Sequence, residues 1–190
     1  MDLIVSAAQA NPGMGNPGMG NPGMGNPGMG NPAQAAYRGR TYACAIGRSG
    51  IATQKIEGDG ASPPGRFRLL RILYRPDRVD CPDSRLNAIA LQTGDGWCDD
   101  PAHPDYNRQV KLPHPARCEK LWRDDGLYDI VVVTSHNDDP VVPGDGSGIF
   151  VHVAGSPDYP ATEGCIAFAR EDLLAILADW QPETDALVIR

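Results

Sequence analysis

Short apolar runs that end at turn residues, rather than long amphipathic segments, fill most of this chain. Residues 128–135 (YDIVVVTS) and 148–154 (GIFVHVA) are rich in β-branched side chains, which is typical of strands buried in a sheet. Further strand candidates with the same character are residues 2–8, 40–48, 67–75 and 186–189. Residues 170–180 form the one convincing helix, because their apolar side chains recur with helical spacing. We therefore predict a mainly β domain.

A low-complexity repeat interrupts this pattern near the start of the chain. Residues 11–32 consist of four NPGMG units followed by NP. Each unit contains a proline that fixes φ and two glycines that favour irregular backbone, so helix and strand are both disfavoured. Because strand-like runs lie on both sides, we expect a loop inserted between the first two strands of a single domain that spans residues 1–190. An adhesive or partner-binding role is the alternative.

Composition excludes several functional classes. The formal net charge of −7 argues against nucleic acid as a partner, because a phosphate backbone favours a basic surface. No apolar stretch reaches the roughly 18 residues of a membrane-spanning helix. The first residues, MDLIVSAAQA, have an acid where a signal peptide has bases, so no signal peptide is recognisable.

The chain has five cysteines and four histidines. We expect neither a metal site nor a cofactor, because the cysteines form no CxxC pair and the histidines are scattered. Four of the cysteines are expected to be structural, and a disulfide, for example between Cys81 and Cys98, is the alternative. The four are Cys44, Cys81, Cys98 and Cys118.

The fifth cysteine has a different setting. Cys165 follows Gly164 in a loop, and a glycine at that position lets backbone amides approach a bound carbonyl oxygen. His152 lies 13 positions upstream on a predicted strand, and the intervening loop is long enough to return the chain to it. A thiol needs a base to form the thiolate, so the two residues are a candidate nucleophile and base. A core histidine and a buried thiol are the alternative.

Several motifs in order resemble the L,D-transpeptidase (YkuD-like) catalytic domain over residues 37–180. The segment HVAGSPDYPATEGCIAF resembles the family's histidine and Ser-His-Gly-Cys signature, and KIEGDGASPPGRF resembles its Lys-x-Gly-Asp-Gly segment. GWCDDPAHPDYNR, LWRDDGLYDIVVV and NDDPVVPGDGSGIFVHV resemble a proteobacterial branch. The resemblance implies a β-sandwich of mixed sheets with one or two helices.

The resemblance also implies roles. Cys165 matches the nucleophile that attacks a peptidoglycan tetrapeptide stem, releases D-alanine and forms a thioester. His152 matches the base, and the amides around Gly164 and Cys165 match the oxyanion hole. An amine from a second stem then yields a 3→3 cross-link. Peptidoglycan stem peptides are the implied partner, and the sequence leaves the oligomeric state open.

Three positions depart from the family motif. Thr162 and Glu163 replace its Ser-His pair, and Ala167 replaces a basic or amide residue. A carboxylate at position 163 would raise the pKa of a nearby thiol.

Other residues are candidates for binding the substrate. To replace the positive charge lost at position 167 we name Arg170 first and Arg108 second, with solvated surface arginines as the alternative. Tyr106 with Asn107, and His136 with Asn137, are loop residues that could line the cleft.

Two other functions stay open. One is an L,D-carboxypeptidase or a related cysteine hydrolase, which would transfer the acyl group to water. The other is a catalytically silent cell-wall binding module, which the altered motif and the repeat would favour. The family implies a periplasmic or cell-envelope location, although no export signal is recognisable in this sequence.

Overall fold

The structure, a computed structural model, describes residues 1–7 and 32–190. The described residues form thirteen strands and one helix. The strands are β1 (Asp2–Ala7), β2 (Pro32–Tyr37), β3 (Arg40–Ala45), β4 (Gly65–Phe67), β5 (Leu69–Tyr74), β6 (Ala88–Ala90), β7 (Asp95–Cys98), β8 (Gln109–Lys111), β9 (Cys118–Lys120), β10 (Ile130–Thr134), β11 (Phe150–Val153), β12 (Ile166–Phe168) and β13 (Ala186–Ile189), and the helix is α1 (Arg170–Asp179).

The strands form two sheets. The large sheet has ten strands in the order β4-β13-β1-β2-β3-β12-β11-β10-β5-β6, and the small sheet has three strands in the order β8-β7-β9. The large sheet is mixed, because β1 with β13, β11 with β12 and β5 with β6 pair in parallel while its other pairs are antiparallel. The prediction of a mainly β fold with mixed sheets is confirmed.

The centre of the large sheet is covered on both faces. Every residue of β10 and β11 is buried. On one face, Val151 and Val153 belong to a core that includes Leu173, Ile176 and Leu177 of α1. On the other face, Phe150 packs edge-on against Trp97 of the small sheet, with ring centroids 4.9 Å apart. The alternation predicted for residues 148–154 is confirmed, and it places His152 on the face toward the small sheet.

Two strand predictions were wrong in detail. Residues 67–75 were expected to form one strand, but β4 pairs with β13 and β5 pairs with β10. The break lies at Arg68, whose backbone N–H and carbonyl both bond to Ser135 at 2.9 Å. Residues 40–48 were expected to be the second strand, but β2 precedes them and pairs with both β1 and β3.

The predicted repeat loop lies outside the described residues, except for Pro32 at the start of β2. The strands on either side of residues 8–31, β1 and β2, pair antiparallel with Ala7 opposite Ala33. The insertion between the first two strands therefore stays a prediction.

The cysteine pattern differs from the disulfide that we considered. All five cysteines are free. Cys81 is exposed and Cys98 is buried, and the residue opposite Cys98 in the small sheet is Cys118.

The helix confirms the prediction for residues 170–180. Leu173, Ile176 and Leu177 are its buried residues, and Trp180 follows directly as the C-cap. In the part of the chain that the structure describes, no helix has the length and apolar character needed to cross a membrane.

Candidate active site

Parallel pairing of β11 and β12 places Cys165 beside the strand that carries His152. His152 is opposite Ala167 in the register, and Cys165 lies two residues before Ala167. Since side chains two residues apart share a face, His152, Cys165 and Ala167 all lie on the face toward the small sheet. The strand and loop arrangement inferred from the sequence therefore brings both residues to one side of one sheet.

A set of hydrogen bonds fixes the loop that precedes Cys165. The Thr162 hydroxyl donates to the Cys165 carbonyl at 2.6 Å and accepts the Gly164 N–H at 3.1 Å. The buried Ser62 hydroxyl donates to the Gly164 carbonyl at 2.8 Å. Gly164 has φ +130°, and a Cβ there would lie 2.8 Å from the Ala61 carbonyl oxygen. Only glycine fits this approach, so the two motifs around residues 55–67 and 152–168 meet at this point.

The Cys165 thiol is held by the backbone that leads into β11. Its Sγ donates to the Gly148 carbonyl at 3.2 Å and accepts the Phe150 N–H at 3.3 Å. Burial raises the pKa of the Cys165 thiol to about 12, and the Phe150 N–H opposes this by stabilising the thiolate. The resting side chain is therefore a neutral thiol whose proton faces a carbonyl oxygen.

The His152 ring is buried and has a defined tautomer. Nδ1 lies 2.8 Å from the Val153 carbonyl oxygen, an acceptor that requires the proton to be on Nδ1. Burial lowers the pKa of His152 to about 4, although the Val153 carbonyl opposes the shift. The imidazole is therefore neutral near pH 7, and Nε2 is its basic nitrogen.

A buried tyrosine packs beside the histidine. The Tyr128 ring meets the His152 ring nearly edge-on, with centroids 5.4 Å apart. Its hydroxyl donates to Glu119 Oε1 at 2.8 Å, and the Arg123 guanidinium lies 5.1 Å from its ring centroid. Tyr128 therefore fixes one side of the imidazole and connects it to charged residues.

Cys165 and His152 both line one cavity of about 660 Å³. This volume lies within the ordinary range for a ligand site. Both signs of charge occur in its lining: the cations are Lys55, Arg117 and Arg123, and the acids are Glu57, Asp99, Glu119 and Glu163. The cavity thus offers partners for a ligand that has both an amine and carboxylates.

The other residues predicted for the site lie at different distances from this cavity. Thr162 lines it, and Gly164 directly precedes Cys165. Arg170 contacts Asp129 and lines a separate cavity of about 300 Å³. Arg108, the second candidate, pairs with Asp138 at 2.9 Å.

Tyr106 and Asn137 are absent from the described residues that line the cavity, and only Tyr106 contacts a residue that does. The buried Tyr106 hydroxyl donates to Glu57, which lines the cavity. The Asn137 amide donates to the carbonyls of Val142 and Gly146 at 2.9 Å and so closes its own loop. The structure does not bring Asn137 or Arg170 into the described lining of the cavity.

Sequence reasoning missed the residues that come from the small sheet and the segment after it. Arg117, Glu119 and Arg123 line the cavity. Arg123 lies in the LWRDDGLYDIVVV segment, but none of the three was predicted to belong to the site. Asn107, named only as a loop residue, accepts the Gly148 N–H at 3.0 Å and so positions the carbonyl that holds the Cys165 thiol.

The comparison with protein families agrees with this geometry. The sequence profile of the YkuD L,D-transpeptidase catalytic domain matches residues 33–189, which is most of the chain. The chain belongs to the YkuD family. Searches among curated proteins and among solved structures found no match. The YkuD domain accounts for all the described strands except β1 and the first residue of β2.

The structure also shows the surroundings of two of the departures from the YkuD motif. Glu163 is exposed and pairs with Arg48 Nε at 2.9 Å through both carboxylate oxygens. Its effect on the pKa of Cys165 is smaller than that of burial. Ala167 is buried beside His152 in the cavity wall, where a longer side chain would occupy cavity space.

Proposed function

We propose that the protein is a cysteine-dependent peptidoglycan L,D-transpeptidase with Cys165 as nucleophile and His152 as base. The observation that carries the proposal is that both side chains lie on one face of one sheet and line the same cavity. Membership of the YkuD family supports the reaction class. The proposed substrate and mechanism are those that the resemblance to this family implies, and the side chains of the site support them as follows.

In the first step, Cys165 Sγ attacks the carbonyl carbon of the third residue of a tetrapeptide stem. The thiol proton moves from Sγ to Nε2 of the neutral His152, which is the nitrogen left basic by the Nδ1 hydrogen bond. The Cys165 N–H is the amide that we propose for the oxyanion, because the Gly164 N–H already donates to Thr162.

In the second step, the tetrahedral intermediate collapses to the thioester. The C–N bond breaks, and the imidazolium gives its proton to the leaving amine of D-alanine. An amine from a second stem then attacks the thioester carbonyl and gives a proton to His152. Collapse forms the new amide, and the Cys165 sulfur recovers a proton from the imidazolium.

The charges of the cavity fit such a substrate. A diaminopimelate side chain has an amine and a carboxylate, and the terminal D-alanine has a second carboxylate. Arg117 and Arg123 are the groups that we propose for the carboxylates, in place of the basic residue absent at position 167. Glu57 is the group that we propose for the amine.

The test uses the full chain with a disaccharide tetrapeptide and, separately, with a carbapenem. Free D-alanine together with a 3→3 linked dimer supports the proposal. D-alanine with free tripeptide and no dimer would assign the acyl group to water, as in a carboxypeptidase. If neither product nor a carbapenem adduct forms, the chain is a silent cell-wall module.

We further propose that the protein works in the periplasm or cell envelope, where this substrate is found. Fractionation of the host cell with an antibody against the chain tests this location. Recovery in the cytoplasmic fraction alone would instead favour soluble peptidoglycan fragments as the substrate.

A further inference from the structure

A second group of nucleophilic and metal-ligating side chains lies in the small sheet. Cys98 ends β7, Cys118 begins β9, and His114 lies in the connection between β8 and β9. Among the described residues that line the Cys165 cavity, none of these three occurs. The proposed transpeptidase mechanism does not use them.

The three side chains meet at distances that suit a soft divalent cation. Cys98 and Cys118 are directly opposite in the antiparallel register of β7 and β9. One ligand atom from each residue, including a His114 nitrogen, lies within 4.8 Å of the others. Cys118 Sγ is 3.4 Å from His114 Nδ1. Tetrahedral zinc with ordinary Zn–S and Zn–N bonds would set this separation at about 3.6 Å, so little movement is needed.

The protonation of His114 also suits a metal ligand. The Ala116 N–H donates to His114 Nδ1 at 3.2 Å, so Nδ1 has the lone pair, and a metal ion bound at this nitrogen would replace that hydrogen bond. Its Nε2 therefore has the proton and lies 3.2 Å from Asp105 Oδ2. Histidines that bind zinc typically donate their other ring N–H to a carboxylate in this way. The His103 ring packs against His114 with centroids 4.9 Å apart and steadies the same carboxylate loop.

We propose that Cys98, His114 and Cys118 bind one zinc-like cation, with Asp105 orienting His114. Both thiols release their protons to solvent on binding, so the site combines two thiolates and one neutral imidazole. These three ligands leave one position of a tetrahedral ion for a water molecule or another donor.

The proposed ion would brace one wall of the Cys165 cavity. Its ligands join β7, β9 and the connection between β8 and β9. The chain neighbours Asp99, Arg117 and Glu119 line that cavity. Binding of the ion would therefore fix the segment that positions these charged groups.

The experiment titrates the reduced, chelator-treated full chain with Co²⁺ and then with Zn²⁺. We expect one Co²⁺ per chain, thiolate-to-cobalt charge-transfer absorption and the visible bands of a tetrahedral site, all lost when Zn²⁺ displaces Co²⁺. Cys118→Ser and His114→Gln should each weaken Co²⁺ binding at least about tenfold, and Asp105→Asn by about 10–100-fold.

Two variants are matched controls. Cys81→Ser removes an exposed thiol outside the cluster, and Cys165→Ala removes the thiol of the cavity; both should keep the cobalt spectrum. Far-ultraviolet circular dichroism checks that each variant is folded, and the wild-type spectrum is decisive without them.

Three results would overturn the proposal. The first is an absence of thiolate–cobalt absorption in the reduced wild-type chain. The second is a spectrum that vanishes in Cys165→Ala or survives in Cys118→Ser. The third is a Cys98–Cys118 disulfide in the untreated protein together with no cobalt uptake after reduction, which would make the pair a redox link rather than a metal site.

Discussion

The protein contains two thiol–imidazole pairs, and they differ in what holds the sulfur. In the small sheet, Cys118 Sγ lies 3.4 Å from a nitrogen of His114. In the large sheet, Cys165 Sγ bonds instead to the backbone of Gly148 and Phe150, while His152 bonds to the backbone of Val153. The pair with the direct contact is the one that we assign to metal binding.

The difference shows that contact with a histidine does not by itself mark a nucleophile. A nucleophile also needs space for a substrate, and Cys165 faces a cavity of about 660 Å³ with charges of both signs. Its resting thiol is neutral because burial raises its pKa, so in the proposed mechanism the proton moves to His152 only in the complex with substrate. Cys118 has its histidine already in place and fits a role that needs no substrate.

The largest expected effect distinguishes the two sulfurs. Cys165→Ala should abolish the carbapenem adduct and lower the rate of D-alanine release at least about 1000-fold, because the nucleophile is removed. Cys118→Ala is the matched control: it keeps the nucleophile and the base, so it should keep the adduct and lose at most about tenfold in rate through the cavity wall that the proposed ion braces. Intact-protein mass spectrometry measures the adduct. An adduct retained in Cys165→Ala and lost in Cys118→Ala would reverse the assignment.

The two histidines should differ in the same way. His152→Gln should lower kcat/KM for D-alanine release by about 100–10,000-fold, because the general base is lost while an amide can still donate to Val153. His114→Gln removes the imidazole of the other pair and acts only through the cavity wall that the proposed ion braces, so it should lower kcat/KM by at most about tenfold. Equal losses in both variants would show that the two pairs act together.

The sequence predicted the Cys165–His152 pair from the strand period, the loop length and the resemblance of the surrounding motif to the YkuD family. Residues 148–154 alternate between the two faces, so the face of His152 followed from the period of a strand. The glycine before Cys165 predicted a close approach of the backbone there, and the structure shows Thr162 bonding within the loop and Ser62 donating to it from another segment.

The small sheet could not be predicted in the same way. Its strands have three or four residues each, too few to show a period, and its pairing depends on contacts with Phe150 and Tyr128 across the core. The cavity arginines therefore had no sequence signal, and Arg170 was preferred only because it lies near Cys165 in the chain. The same limit hid the cluster around His114, whose ligands come from separate segments.

An acid-stability measurement compares wild type with His152→Gln. Burial lowers the pKa of His152 to about 4 from the ordinary 6.5, so the unfolded chain binds a proton that the folded chain does not. Stability should therefore fall as the pH drops from 6.5 to 4, by about 3 kcal/mol from this residue.

For His152→Gln, the free energy of unfolding should depend less on pH, because glutamine does not titrate in this range. Urea unfolding at pH 7.5, where His152 is neutral, gives the difference in free energy of unfolding that the substitution itself causes. The change in this difference at pH 4.5 is the contribution of His152 protonation. If the free energies of unfolding of the two proteins change equally between pH 7.5 and pH 4.5, the His152 ring takes up its proton in the folded state as readily as in the unfolded chain.

The smallest expected effect concerns the loop before Cys165, which contains Thr162 and has no counterpart at Cys118 in the small sheet. Thr162→Val removes one hydroxyl that donates to the Cys165 carbonyl and accepts the Gly164 N–H. Two lost hydrogen bonds of about 1 kcal/mol each should lower kcat for D-alanine release by about tenfold or somewhat more, through misplacement of the nucleophile. Thr162→Ser keeps both bonds and should stay within about twofold.

Neither substitution at position 162 touches the small sheet, so both variants should bind Co²⁺ as wild type does. Steady-state kinetics with the tetrapeptide separates kcat from KM. A valine variant that matches the serine variant in kcat would show that Ser62 and the close approach of Gly164 to Ala61 hold the cysteine loop without the Thr162 hydroxyl. A loss in kcat confined to valine would instead show that the cavity sulfur depends on a side chain for its position, whereas Cys118 is positioned by a strand.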